Sequence, residues 1–156
     1  WYTMWKKARK LSGTSAGVQM IWGIQWDETL KWLIDTGEKT YAGIVPNSSS
    51  WGNYFDNSFT YYTDTSKSTA TKSSGTGTRI PSGAYEGANA NNVYDLAGNI
   101  YDWTLESNGS GRGDVRYRRG GSCSNYGNDI PASYRSNGGP HNSYDSYGLR
   151  CTLCIK

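Results

Sequence analysis

Side chains that commonly carry chemistry are sparse in this chain: three cysteines, Cys123, Cys151 and Cys154, and a single histidine, His141. Cys151 and Cys154 stand at i and i+3 in YGLRCTLCI, which reads as a strand. That spacing sends them to opposite faces and argues against a CxxC metal clip. A Ser-His-Asp arrangement would need His141 as its base, and His141 lies in a polar Gly/Asn-rich stretch. It reads as a surface residue. Three cysteines are an odd number, far from a disulfide-dense composition, and leave the compartment open. Thiol, soft-metal and nucleophilic chemistry therefore lack their groups, and no cofactor is expected. Arg112-Gly113-Asp114 spells an adhesion tripeptide, but SNGSGRGD is first a turn sequence. Arg116, Arg118 and Arg119 with Tyr117 alternate along a short strand without a supporting basic face, so they read as structural. A net charge of +3 is too small to argue a nucleic-acid partner.

What the residue types offer instead is recognition. Residues 125–147 read NYGNDIPASYRSNGGPHNSYDSY, and 18 of these 23 are Asn, Tyr, Gly, Asp, Ser or His. Tyr gives a large amphipathic contact area at little rotamer cost, and Ser, Gly and Asn give adaptable hydrogen bonding, the mixture used in antibody paratopes. Every residue type present can be reached from an Asn codon (AAC or AAT) by changing its adenines. Lys, Glu, Gln, Met and Trp cannot, and none of the five occurs between Gly120 and Arg150, whereas the rest of the chain uses all of them.

The elements that must position such a surface follow from composition and pattern. The 156 residues suit one domain, 1–156, with a real core. Seven Trp and thirteen Tyr against two Phe and few branched aliphatics point to a loop-rich α+β domain with an aromatic core. No apolar run approaches the length needed to span a membrane, and a chain opening on Trp1 does not show whether a leader preceded it. Trp1, Met4, Trp5, Ala8 and Leu11 share one helical face, which predicts an amphipathic helix packed on the domain, with a membrane-surface helix as the alternative. VQMIWGIQW reads as a short apolar strand or a buried lead-in to a second helix in DETLKWLIDTG. In that helix Asp27 is the expected N-cap, Glu28 complements the first turn, Leu30, Leu33 and Ile34 form the buried stripe, and Gly37 is the stop. Tyr41, Trp51, Tyr54 and Phe55 are expected to pack rather than to stack on sugars. Residues 63–78, rich in Ser, Thr, Lys and Gly without periodicity, read as a mobile polar loop. From Arg79 onward short strands alternate with turn clusters.

Three segments carry a family resemblance: NVYDLAGNIYDWT (92–104), RYRRGGS (116–122) and YGLRCTL (147–153), with MIWGIQWDETLKWL as an earlier match. In this order they resemble the formylglycine-generating-enzyme, or sulfatase-modifying factor, family. The resemblance implies the C-type lectin-like fold of that type: two helices near the N-terminus, short irregular β-strands and long loops. Tyr94, Leu96, Ile100 and Trp103 would supply core, and Gly98 with Asn99 a tight turn. Gly120 and Gly121 allow close backbone approach, and Arg119, Arg135 and Arg150 would be scaffold arginines. The enzymes of this family place a cysteine where Asn125 stands here and a second one with no counterpart before Arg135; Cys123 replaces an aromatic residue. The expectation is that the chain is no enzyme, with a degenerate or divergent sulfatase-modifying enzyme as the alternative. The adenine-restricted alphabet and PASYR (131–135) resemble the variable proteins of diversity-generating retroelements, which are altered by adenine-specific mutagenic retrohoming. That resemblance implies a hypervariable ligand-binding segment over about 122–147. Its candidate variable positions are Cys123, Asn125, Tyr126, Asn128, Asp129, Asn137, Gly138, His141, Asn142, Tyr144, Asp145 and Ser146, framed by Gly121, Pro131, Ala132, Tyr134, Arg135 and Arg150. The implied partner is a protein or glycan receptor, and the implied location a phage tail or a bacterial surface. Neither nucleic-acid binding nor membrane insertion is expected. A structural calcium near Asp95, Asn99 or Asp102 is implied by family analogy alone.

Overall fold

The computed structural model describes residues 1–13, 16–109 and 114–155. Arg112 and Gly113 of the RGD tripeptide lie outside the described residues. Helix α1 (Tyr2–Lys10) is followed by strand β1 (Ala16–Met20), helix α2 (Gly23–Asp35) and a short helix α3 (Tyr41–Ile44). Strands β2 (Phe59–Tyr62) and β3 (Thr69–Lys72) form a hairpin, as do β4 (Asn89–Ala90) and β5 (Val93–Tyr94). The central sheet holds β6 (Tyr101–Ser107), β7 (Arg116–Arg119), β8 (Arg135–Gly138) and β9 (Tyr147–Leu149) in the order β8-β7-β6-β9, with β6 and β9 parallel. The last strand, β10 (Cys151–Ile155), pairs antiparallel with β1. No described helix is long and apolar enough to cross a membrane.

Helix α1 forms as its apolar spacing predicts. Ala8 is buried, and Trp1, Met4 and Trp5 pack with it against Met20 and Trp103, while Leu11 at the far end of the stripe is exposed. Helix α2 begins five residues earlier than Asp27 as N-cap would set it, with Trp22 at the cap position. The Gln25 side chain accepts a hydrogen bond from the Trp22 N–H (2.9 Å) and starts the helix there, which moves Asp27 and Glu28 beyond its first turn. The stripe is as expected, with Leu30 and Leu33 buried and Ile34 packed at the edge; Gly37 closes the helix at φ +75°. The third helix, α3, escaped the pattern reading because it is one turn long, held by the Thr40 side chain accepting from Gly43 N (3.1 Å).

The principal core gathers Trp26, Leu30, Leu33, Ile44, Trp51, Tyr54 and Leu96. Trp51 and Tyr54 pack as expected, but Tyr41 is 64% exposed and does not. Tyr94 and Ile100 are half-buried beside fully buried Leu96 and Trp103. The polar stretch 63–78 is not all loop. Its middle forms β3, and Lys72 in it is fully buried, its ammonium donating to the Tyr54 and Asn57 carbonyls (2.7 and 2.8 Å) and lying 5.5 Å from the Phe59 ring centre. Burial lowers the pKa of this lysine. The turn at Gly98 and Asn99 takes the positive φ its residues suggested, +72° and +61°. A Cβ at Gly98 would land on the Asn53 carbonyl. Asn99 fixes two further segments, accepting from Ile80 N and Asn53 Nδ2 and donating to Ile80 O.

Candidate ligand-binding surface

The frame of the C-terminal segment is built from arginines and close backbone contacts. Arg119, at the end of β7, is 3% exposed and donates to the Ser133 carbonyl (3.0 Å) and to the Asp27 carboxylate (2.9 Å). Asp27 is thus an ion-pair partner rather than a helix cap. Gly120 and Gly121 follow at φ +86° and +76°, and the Gly120 carbonyl accepts from Gly98 N and from the Tyr54 hydroxyl (2.6 and 2.9 Å). Arg135 pairs with Glu106 and lies 3.6 Å from the Tyr117 ring centre. Arg150 donates to the Tyr94 carbonyl (2.7 Å) beside the Asp102 carboxylate (3.3 Å). Pro131 and Ala132 are buried, with Ala132 bonded through its backbone to Ser48 Oγ and to the Trp26 indole N–H (both 3.0 Å). Tyr134 donates through its backbone N–H to the Pro131 carbonyl (2.8 Å), and its side chain is 39% exposed.

The main chain of the polar segment is likewise tied to fixed residues. Phe55 N donates to Asn125 O (2.8 Å), Ser48 N to Gly127 O (2.9 Å) and Tyr101 N to Ser146 O (2.8 Å), while Gly127 N donates to the Asp56 carboxylate (3.2 Å). Asn125 also closes the turn after Gly-Gly-Ser, its side-chain oxygen accepting from Ser122 N and Oγ (2.9 and 2.8 Å). These bonds hold the loop path without using most of the candidate side chains.

The sheet sorts those side chains by face. β7 pairs Arg118 with Trp103 of β6 and with Ser136 of β8, and Arg116 with Gly138; Tyr101 pairs with Tyr147. Alternation along the strands therefore puts Tyr101, Trp103, Arg116, Arg118, Ser136 and Gly138 on one face. Around it stand Asn142, whose side-chain nitrogen would lie 3.7 Å from a Cβ at Gly138, and Tyr144, edge-on to Tyr147 at 5.0 Å. His141, 6.2 Å from the Tyr2 ring, extends the same side, and a cavity of about 420 Å³ opens between α1 and this loop, lined by Trp103, His141, Asn142, Tyr144 and Tyr147. Tyr126, Asn128 and Asp129 are exposed on the preceding loop, Tyr126 against Phe55 at 5.4 Å. Asp145 is exposed and pairs with Arg79 (3.0 Å), and Ser146 is half-buried.

Cys123 and Asn137 stand apart from the first face, and the half-buried Asn125 side chain is turned in to Ser122. Cys123 is 2% exposed, its thiol donating to the Gly77 carbonyl (3.2 Å), and burial pushes its pKa up. Asn137 is exposed but lies on the other face of β8, with Arg135 and Tyr117, because its neighbours Ser136 and Gly138 take the first face.

At the centre of the first face is Arg118, which pattern reading assigned to structure. Its guanidinium lies 4.4 Å from the Tyr147 ring centre and 4.7 Å from that of Tyr101, and Nε donates to Ser136 Oγ (3.2 Å). Burial lowers its pKa, while the hydroxyl groups of Tyr101, Tyr134 and Tyr144 favour its charge. The signal for this cluster was present in the alternation of YDW against RYRR, but seeing it required the register between β6 and β7.

The residues named for calcium fit in part. Asp95 has a buried oxygen, Oδ1, without a hydrogen-bond partner, while Oδ2 accepts from Ser82 and Gly83. Asp102 is held above the ordinary carboxylate range by burial, with Arg150 opposing and the charge of Asp95 adding. Asp102 is already paired with Arg150, and no group of three or more His, Cys, Asp or Glu side chains that could hold a metal occurs among the described residues. Asn99 does not fit, since its amide is committed to Asn53 and Ile80.

The family model of the sulfatase-modifying factor enzyme 1-like domain matches residues 7–155. In fold the chain is similar to Treponema denticola variable protein 1, with a TM-score of 0.56 and 19% identity over 94% of this chain and 50% of that one. It is also similar to CarF, with a TM-score of 0.57 and 16% identity over 93% of this chain and 49% of that one. The chain spans about half the length of the solved structures it matches. No curated protein matches it.

Proposed function

Because the chain belongs to the sulfatase-modifying factor enzyme 1-like family, we propose that it is a ligand-binding member of that family, diversified at the surface of its C-terminal segment, and not a catalyst. One observation carries the proposal: a segment restricted to residues that adenine changes can reach supplies Gly138, Asn142, Tyr144 and His141 around one sheet face. The likeness in fold to a variable protein of Treponema denticola supports it. So does Asn125, which stands where the enzymes carry a cysteine and has its side-chain oxygen engaged by Ser122.

The partner is a protein or glycan receptor, met from a phage tail or a bacterial surface. The decisive observation is in the neighbouring DNA. A reverse-transcriptase gene together with a near-copy of the 116–153 coding region, differing only at adenines, is expected; the absence of any such copy sinks the diversified reading. Copper- and oxygen-dependent turnover of a cysteine-containing peptide would instead establish a divergent enzyme.

A further inference from the structure

The cavity of about 420 Å³ between α1 and the loop after Pro140 has one wall outside the polar segment. Thr3, Met4 and Lys7, neighbours across one turn of α1, form that wall. The opposite wall is His141, Asn142, Ser143 and Tyr144, all four exposed. The floor is the buried Trp103 ring, with Tyr147 against it at 5.3 Å. Both walls are held from behind. The Trp1 indole N–H donates to the Thr104 carbonyl (2.7 Å), and Ala8 is buried beneath the helix. Pro140 is buried where the loop starts, and Tyr101 N holds its far end through Ser146 O (2.8 Å). The side chains at the mouth are therefore open to solvent on a fixed backbone.

Charge around this cavity is one-sided. No Asp or Glu lines it, and α1 carries no acidic residue. Lys7 is exposed and forms no ion pair among the described residues. Lys6, Arg9 and Lys10 of the same helix add to the positive potential. Around Lys7 stand the Thr3 and Ser143 hydroxyls, the Asn142 amide and the His141 imidazole, above the aromatic floor. We infer that this cavity takes an acidic sugar, a pyranose bearing a carboxylate. Lys7 meets the carboxylate, the aromatic rings meet the apolar C–H groups of the sugar, and the four surrounding polar groups meet its hydroxyls. This rests on the ligand-binding reading and names the chemistry of its ligand. A sugar is favoured over an Asp or Glu side chain of a protein partner for two reasons. A volume of about 420 Å³ admits a whole six-membered ring, and a lone carboxylate would engage Lys7 and leave the other four polar groups unused. Helix α1 then supplies the constant part of recognition, the cation. Positions 141, 142 and 144 supply the changeable part, which reads the pattern of hydroxyls.

The test follows the backbone amides of residues 141–144 and the Asn142 side-chain amide by NMR while the whole chain is titrated with methyl β-glucuronide. Methyl β-glucoside, which carries a hydroxymethyl group in place of the carboxylate, is the neutral probe. The expected result is a saturable shift with the glucuronide and a response at least about threefold weaker with the glucoside, the fold-change an exposed ion pair supplies. Lys7→Gln should bring the two sugars to equal responses. Lys6→Gln, at a residue that does not line the cavity, should leave their difference unchanged, and Tyr144→Ser should weaken both alike. All three side chains are exposed, so retained spectra check the fold of each variant. Equal responses in the wild type, no response to either sugar, or a difference that survives Lys7→Gln would overturn the site. Saturation by acetyl-glutamate-amide at lower concentration than by the glucuronide would overturn the choice of a sugar. The titration is independent of the DNA test, so an absent adenine-variant copy and an absent sugar response are separate failures.

Discussion

Cys123 shows how much a single position can differ from its reading. As one of three cysteines in a polar, turn-rich segment it looks like a changeable surface residue, yet it is buried with its thiol bonded to Gly77 O, and burial holds the thiol in its unreactive protonated form. Brief treatment with a thiol-alkylating reagent is therefore expected to modify exposed Cys151 and spare Cys123, with both modified after denaturation; peptide mass spectrometry separates the two. Early modification of Cys123 in the folded protein would contradict the burial. Asp102 gives a second residue-level expectation. Its folded pKa is raised, so the native state keeps a proton that the unfolded chain has released. Its contribution to stability is present below the ordinary carboxylate pKa, about 4, and is lost as pH rises through the raised value. Denaturant melts of wild type and Asp102→Asn should differ by a slope of that sign as pH rises above about 4.

At the level of elements, the Gly98–Asn99 turn is the joint where three segments meet. Gly98→Ala has to shift the Asn53 backbone and adopt a positive φ, and is expected to cost about 2 kcal/mol or more, measured as a fall in denaturation midpoint at unchanged slope. That turn was legible because Gly and Asn tolerate left-handed backbone wherever they occur. The α1 stripe and the buried face of α2 were legible for a similarly local reason, apolar spacing at the helical period. The start of α2 was not, because a Gln reaching back three residues capped it in place of the expected Asp. Strand β3 was missed for a different cause: its core residue is a lysine satisfied by carbonyls of the 54–57 turn, which no hydropathy pattern records. The candidate face stayed hidden because Arg118, Gly138 and Tyr101 become neighbours only through the pairing of β6, β7 and β8.

For the whole molecule, the expectation is a sharp difference between side chains that hold the fold and those that only face outward. Substitutions at Tyr126, Asn128 and Tyr144 within the Asn/Tyr/Ser/Asp set should change stability by no more than about 0.5 kcal/mol each, whereas Trp103→Ala should cost about 3–5 kcal/mol. A display library read out by proteolysis checks all four positions together; surface substitutions as damaging as Trp103→Ala would refute the division. The hydrogen bonds from Ser48, Phe55 and Tyr101 to the carbonyls of Gly127, Asn125 and Ser146 explain why it should hold, since they grip the chain at its backbone, which every residue type shares. In evolutionary terms this decouples two quantities usually traded against each other. Under the proposed diversification, the number of receptors sampled would be set by how many side chains are released from structural duty, and each new variant would begin with its stability margin nearly intact.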